Sequence, residues 1–456
     1  MIRRIPAVLL IAATTFCPAL GQDRLAIVNV TIVDATDHPP RTHSTVIVQG
    51  NKIVAVTATS DKPPKGAKIL DWTGKYLIPG LWNNDLHGPA YGDAKEALLS
   101  LVSYGITTVR DMGAPLDDIV RLRAATASGE LTGPRLFIAG PLMEGPVPVQ
   151  MGLIVDLFSE MQARDEVRIL EQHHVDYIEV DTSLTPELYS AIADEARRRH
   201  LPLVGHIPAT VSAWDIVKAD QTDVEHLGGR YLNVLVSCSS DEAYFNLLLG
   251  RTYENLLTAL KEKLPPTEPQ FKADFDERLL NSFDETKAQR LFELYAKSRV
   301  AQTPTLCVLK TLWDTNKDDQ KLNERDMEFG RKIFAKDLEV VRQMKKAGVP
   351  ILAGTDGPYP QGGEALHSEL EILVEAGLSP LQALQAATRD AAAAMAVTKN
   401  VGTVEIGKTA DLVLLDADPL KDISNTRKIN AVVLRGRFFS EHEIASMRTR
   451  NFGIQV

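Results

Sequence analysis

The chain has 456 residues, 44% of them hydrophobic and 24% charged, which is enough apolar material for one large core and a second, smaller unit. A formal charge of -10 excludes nucleic acid and anionic membrane as partners, because both demand a basic surface, and no block of Lys and Arg offsets it. The composition reads as that of a globular protein.

The N-terminus reads as an address. Arg3 and Arg4 precede an apolar stretch from Ile5 to Phe16, and Ala19-Leu20-Gly21 supplies the small residues of a cleavage site. The expectation is a signal peptide over 1–21, a mature start at Gln22, and a periplasmic or extracellular location without membrane association after cleavage. The alternative, an uncleaved anchor, is disfavoured because the stretch is too short to span a bilayer. Cys238 and Cys307 then remain, neither in a CxxC motif, and both read as ordinary buried thiols whose pairing is left open.

From residue 22 to about 78 the pattern alternates as β-structure, in LAIVNVTIVDA, STVIVQG and KIVAVTA, with Gly50-Asn51 marking a tight turn. From 79 to about 400, strand-like and helical runs alternate, which implies a parallel sheet with crossover helices. Eight candidate strands lie near 80–86, 106–110, 135–139, 176–180, 201–206, 222–226, 299–306 and 350–355, and eight such units suit a closed barrel better than an open sheet. Residues 230–298 form an outsized, largely helical insertion between the sixth and seventh strands, broken at Pro265-Pro266, in a position that often becomes a lid or substrate wall. Ser379-Pro380 opens a helix through LQALQAATRDAAAAMAV, and Gly377 ends the helix before it. Over 401–456, TADLVLLDA and INAVVLRGRFF return to β-structure, so the two chain ends are expected to form one sheet structure.

Six metal-capable side chains fall at the ends of these strands: Asp85 and His87 after LIPGLWN, Glu179 in VDYIEV, His206 in LPLVGHI, His226 in TDVEHL and Asp356 in ILAGTD. Barrel enzymes place their chemistry at the carboxyl ends of parallel strands, so ligands distant in sequence converge on one rim. Asp356, between Gly354 and Gly357, is the candidate general base, since a carboxylate beside a cation can hold it and accept a proton from water. The bland reading of the same residue is a turn or helix-cap aspartate.

At this point the chain resembles the metal-dependent amidohydrolases, in particular the imidazolonepropionase-related and prolidase-like branch. The likeness rests on LIPGLWNNDLH, GITTVRDMG, VGHI, VEHL, LAGTDG, LSPLQALQAAT and VGTVEIGKTADLVLLDADPL, taken in that order. It implies a (β/α)8 TIM-like barrel with a composite β-sandwich built from both ends, divided at 22–78, 79–400 and 401–456. Two departures stand out. The first strand of the family ends in His-x-His, whereas here Asp85 occupies the first position of Asp85-Leu86-His87. The carboxylated lysine of the fourth strand is replaced by Glu179, which can bridge two metals without carbon dioxide.

Three carboxylates (Asp85, Glu179, Asp356) and three imidazoles (His87, His206, His226) make an oxygen-rich ligand set, so one or two divalent ions are expected, zinc first, with manganese or iron tolerated. Asp85 as a turn residue and Glu179 as an ion-pair partner are the competing structural readings. Tyr231, five residues beyond His226, is a candidate hydrogen-bond donor to a developing oxyanion, against lid packing. His367, placed just before a helix, and Arg110, at the end of the second strand, are candidate substrate contacts, against a surface histidine and a structural ion pair. The expected reaction is hydrolysis of an amide-type C–N bond in a dipeptide, N-acyl amino acid or cyclic amide, with water as the only cosubstrate. A non-catalytic barrel that has lost its metal and binds a small molecule is the rival, and a homo-oligomer is left open.

Overall fold

The computed structural model describes residues 24–59, 61–88, 94–145, 153–229, 231–261, 272–315 and 324–448. The leader expected over 1–21 and the Pro265-Pro266 break lie outside them. Among the described residues, no helix is long and apolar enough to cross a membrane.

Both chain ends contribute to one eight-stranded sheet. Its strands run in the order Arg437–Phe439, Ile429–Leu434, Leu412–Leu415, Tyr76–Pro79, Arg24–Ile32, Arg41–Gln49 and Lys52–Ala58, with Lys68–Asp71 also paired to Arg24–Ile32. The period-two pattern explains its position. Leu412, Leu414, Ala431 and Val433 turn inward with Ile27, Ile32, Val46 and Leu77 to make a small core of their own. Their neighbours Val413, Leu415, Val432 and Leu434 face the other way and join the main hydrophobic core. Burial on both faces is why these segments read as nearly unbroken apolar runs.

The remainder is α/β, and among the described residues its strands pair in parallel. Leu81–His87, Ile106–Asp111, Arg135–Ile138 and Gly357–Pro358 form one four-stranded sheet; Ile154–Asp156, Leu142–Glu144, Ile178–Val180 and Leu203–Gly205 form a second; Asp223–Glu225 pairs with Ala301–Thr303. Single contacts join the pieces. Asp176 N donates to Ile138 O (2.8 Å), parallel bridges link Leu203 to Gln221 and Gln302 to Ile351, and Asn84 N donates to Ala353 O (3.0 Å).

The expected strand at 350–355 pairs as β-structure only at Ile351, because its later backbone groups are shared out: Ala353 N donates to Ala386 O and Thr355 N to Asp85 O. Leu142–Glu144 and Ile154–Asp156, three residues each, were too short to stand out as strands in the sequence. The helix opened by Ser379 does carry a capping box with Pro380 in its first turn, but it breaks into Pro380–Ala386 and Arg389–Ala394. The break has a local cause. Ala386 O and Ala387 O are taken by Ala353 N and Trp82 N, and the Thr388 hydroxyl donates to Leu384 O (2.7 Å), so the helical ladder has lost its acceptors there.

Within the insertion, the helices Asn233–Ser237, Glu242–Lys261, Lys272–Asn281 and Glu285–Ser298 bury Phe245, Leu279, Leu291, Phe292 and Tyr295 against the main core. Asp284 caps the last of them by accepting from Thr286 N and Lys287 N. Cys238 and Cys307 are free and buried.

Candidate active site

The first strand and the last strand-like segment are stitched together where the site forms. The Asn83 amide donates to Thr355 Oγ1 (2.8 Å) and Gly362 O (3.1 Å), and the Asn84 amide donates to Ala353 O (2.8 Å). Asp356 N donates to Asp85 O (2.9 Å), which sets the two acids side by side. Gly354 permits that approach, since a Cβ there would lie 2.7 Å from Asp85 Cβ and 2.5 Å from Thr303 Cγ2.

Two groups of metal-capable side chains result. In one, the ligand atoms of Asp85, His87 and Asp356 lie within 4.8 Å of one another; in the other, those of His206, Glu225 and His226 do. His226 connects them, its Nε2 being 3.7 Å from Asp85 Oδ2 and 3.6 Å from Asp356 Oδ2. His87 Nε2 is 3.0 Å from Asp356 Oδ1. Glu179 is outside both groups, but it is buried, and after burial itself the charges that act on it most are those of Glu225 and Asp85.

The two imidazoles of the second group are held by their other nitrogens. His206 Nδ1 lies 2.7 Å from Asp181 Oδ1; an ionised carboxylate can only accept, so Nδ1 carries the proton. His226 Nδ1 faces the Thr305 hydroxyl, which itself donates to Pro304 O (2.8 Å) and therefore accepts from the ring. Both rings thus leave Nε2 as the nitrogen that a cation could take. They meet edge to face, with centroids 5.0 Å apart.

The electrostatics call for a cation. Burial first, and then mutual repulsion, pushes Asp85, Glu179 and Glu225 well above the usual carboxylate range. Asp356 is half-buried, and His226, His87 and His206 bring it down to about 2 against the cost of desolvation. Against the cost of burial, Asp356 raises His87 to about 9 and Asp181 raises His206 to about 9, whereas burial takes His226 down to about 4. Both Asp85 oxygens, Glu179 Oε2 and Glu225 Oε1 are buried with no hydrogen-bond partner. Buried unpaired carboxylates are costly, and orphaned oxygens beside imidazole lone pairs are the donor set of a divalent metal site. The residues present fit that group.

Glu225 was missing from the sequence reading. Strand alternation puts neighbours on opposite faces, so Glu225 and His226 should point apart. His226, however, adopts φ 49°, as Asp356 adopts φ 44°, and the turn brings its ring back beside Glu225. The adjacent Glu-His pair in VEHL was the available signal.

Two expected substrate contacts are corrected. Arg110 is 1% exposed and its Nη1 donates to Asp223 Oδ2 at 2.7 Å, with Tyr177 stacked beside the guanidinium; a group so enclosed contacts no substrate. His367 is not a surface residue ahead of a helix but lies within Tyr359–Glu375, fully buried, with Nε2 donating to Tyr104 O (3.1 Å) and Nδ1 lying 2.9 Å from the Thr426 hydroxyl. Its role is packing between this helix and the C-terminal segment. Tyr231 is half-buried, two residues beyond Gly229, whose backbone packs on the His206 ring.

The His367 correction has a measurable consequence. Burial, helped by Arg427 and Arg448, lowers its pKa from 6.5 to about 3, so the neutral ring stabilises the fold fully above pH 6.5 and that contribution is lost as pH falls toward 3. His367→Leu is expected to cost about 1–3 kcal/mol at neutral pH by orphaning Tyr104 O. Unfolding midpoints should also fall less steeply on acidification than in the parent, and KM should be unchanged. A raised KM would restore the substrate role.

A parallel α/β fold that gathers imidazoles and buried carboxylates at its strand ends is the arrangement of a hydrolase acting on carbon–nitrogen bonds. The chain belongs to the amidohydrolase family, whose sequence model matches residues 76–438. Over 221 residues it is 26% identical to the N-acyl-D-aspartate deacylase of Alcaligenes xylosoxydans xylosoxydans, covering 48% of this chain and 35% of that one. Over 93 residues it is 34% identical to the imidazolonepropionase of Shouchella clausii (strain KSM-K16), covering 20% and 21%. The chain spans between 21% and 35% of the length of the curated relatives it matches. Among solved structures, it shares its fold with a Xaa-Pro dipeptidase that has methionine bound in the active site (TM-score 0.68, 19% identity, 92% of this chain and 100% of that one). It is equally similar to A. niger ochratoxinase (TM-score 0.67, 18% identity, 92% and 96%).

Proposed function

We propose that the protein is an exported, metal-dependent amidohydrolase that cleaves an amide-type C–N bond in a small molecule such as a dipeptide, N-acyl amino acid or cyclic amide. The observation that carries this is the set of buried carboxylate oxygens without a partner on Asp85 and Glu225, gathered with the imidazoles of His87, His206 and His226, and the similarly orphaned Glu179, whose carboxyl is raised by both acids. Relatives named for deacylation and dipeptide cleavage support the substrate class. The single contacts that link neighbouring parallel strands support a closed (β/α)8 barrel over 79–400, with the two chain ends as one accessory β-domain. Arg3, Arg4 and the apolar run after them support export to the periplasm or beyond.

Asp85, His87, Glu179, His206, His226 and Asp356, with Glu225 added, would hold one or two divalent ions. Bound there, such ions lower the pKa of water and polarise the scissile carbonyl. Asp356, ionised beside His87 and His226, accepts the proton of the attacking water and delivers it to the leaving nitrogen, so that hydroxyl ends on carbon and hydrogen on nitrogen. Tyr231 is the proposed donor to the carbonyl oxygen as charge develops on it. A fourth carboxylate makes the set richer in oxygen, which favours manganese or iron as alternatives to zinc.

The test is metal content after purification without chelator or added metal, followed by hydrolysis of a panel of dipeptides and N-acyl amino acids. Activity should vanish on chelation and return with zinc, manganese or iron. Protein that binds no metal yet binds these compounds would instead be a small-molecule binding protein.

A further inference from the structure

His206 and His226 occupy equivalent places at the site but are held in unequal ways. Asp181 follows the strand Ile178–Val180 and accepts both from Thr182 N (2.6 Å) and from His206 Nδ1 (2.7 Å). Its loop is braced from the neighbouring strand, where buried Glu144 accepts from Gly145 N and Ser183 N, each at 2.7 Å. Gly229, at φ +89°, passes so close to the ring that a Cβ would sit 2.7 Å from His206 Cγ. Each Nδ1 also faces a hydroxyl, that of Thr182 at 2.8 Å for His206 and that of Thr305 for His226, so among the described residues the Asp181 carboxylate is what sets His206 apart.

We propose that Asp181 is a positioning residue that makes His206 a ligand: by holding the Nδ1 proton, it fixes the tautomer in which Nε2 offers its lone pair to a divalent cation. A carboxylate behind a metal-binding histidine orients the ring and raises its basicity, and losing such a partner weakens metal affinity by about 10–100-fold. The role rests on the metal site proposed above, and nothing in the sequence marked it, because Asp181 lies two residues beyond Glu179 in an ordinary turn motif.

The experiment titrates zinc into metal-free parent, Asp181→Ala and Asp181→Asn proteins against a chromophoric chelator. Zinc affinity should fall by about 10–100-fold in the alanine variant and by less in the asparagine variant, which can still accept the hydrogen bond but lacks the charge. In histidine-selective 15N spectra of the zinc-loaded protein, His206 should be a single Nδ1-protonated tautomer in the parent and lose that state in Asp181→Ala. Affinity within twofold of the parent, or an unchanged His206 signal, overturns the proposal. Should the alanine variant not fold, the asparagine variant decides: weaker zinc binding at an unchanged apo-protein melting temperature supports the role, and unchanged affinity refutes it. Parent protein that takes up no zinc sinks the metal site itself, whereas zinc uptake indifferent to Asp181 sinks this assignment alone.

Discussion

Asp356→Asn is expected to lower kcat by about 10²–10⁴-fold, the usual contribution of a positioned general base, while the protein stays folded. The substitution is chosen for its backbone. Asp356 sits at φ 44°, in the left-handed region that Asn tolerates better than any other residue with a β-carbon, so the turn can persist. Asn retains an oxygen for His87 Nε2 but cannot take a proton from water. The loss should therefore appear in kcat, with KM little changed and metal content largely kept. Residual activity within tenfold of the parent would move the base elsewhere, and the buried acids of the site, Glu179 and Glu225, would be the next to test.

How far the site could be read in advance depended on whether a side chain's position followed from its own segment. Asp85, His87, His206, His226 and Asp356 each close a short apolar run, and the structure gathers these five at neighbouring strand ends. The composite sheet was equally legible, because LVLL in Leu412–Leu415 and AVVL within Ile429–Leu434 are too apolar for an exposed tail. Glu225 was hidden by a backbone turn that breaks strand alternation. His367 was misread because the glycine and proline residues of GPYPQGGEA suggest a loop, whereas the helix starts at Tyr359 and carries His367 two turns into the core. There the local signal pointed to flexibility while tertiary packing, through Thr426 some 59 residues away, decided the outcome.

Arg110 shows the same limit with a larger energy attached. Its partner Asp223 is 113 positions distant, so sequence left open whether the guanidinium meets a ligand or an internal acid. The structure closes the question: Arg110 and Asp223 have side chains 1% and 3% exposed, and Asp223 Oδ2 also accepts from Thr303 Oγ1 (2.8 Å). Glu225, one layer nearer the strand ends, also feels this cation. Removing Arg110 leaves the buried Asp223 without the cation it pairs with, so Arg110→Met should cost about 3–5 kcal/mol in chemical denaturation, the range for breaking one side of a buried pair. Arg110→Lys keeps the charge but not the planar fork, and its loss should be intermediate. Pairing Arg110→Met with Asp223→Leu removes both charges and should recover much of the stability, since a buried ion pair exchanged for apolar residues is often neutral. If Arg110 met substrate instead, the outcome would invert: Arg110→Met would raise KM while the denaturation midpoint stayed put, and the Asp223→Leu partner mutation would repair nothing.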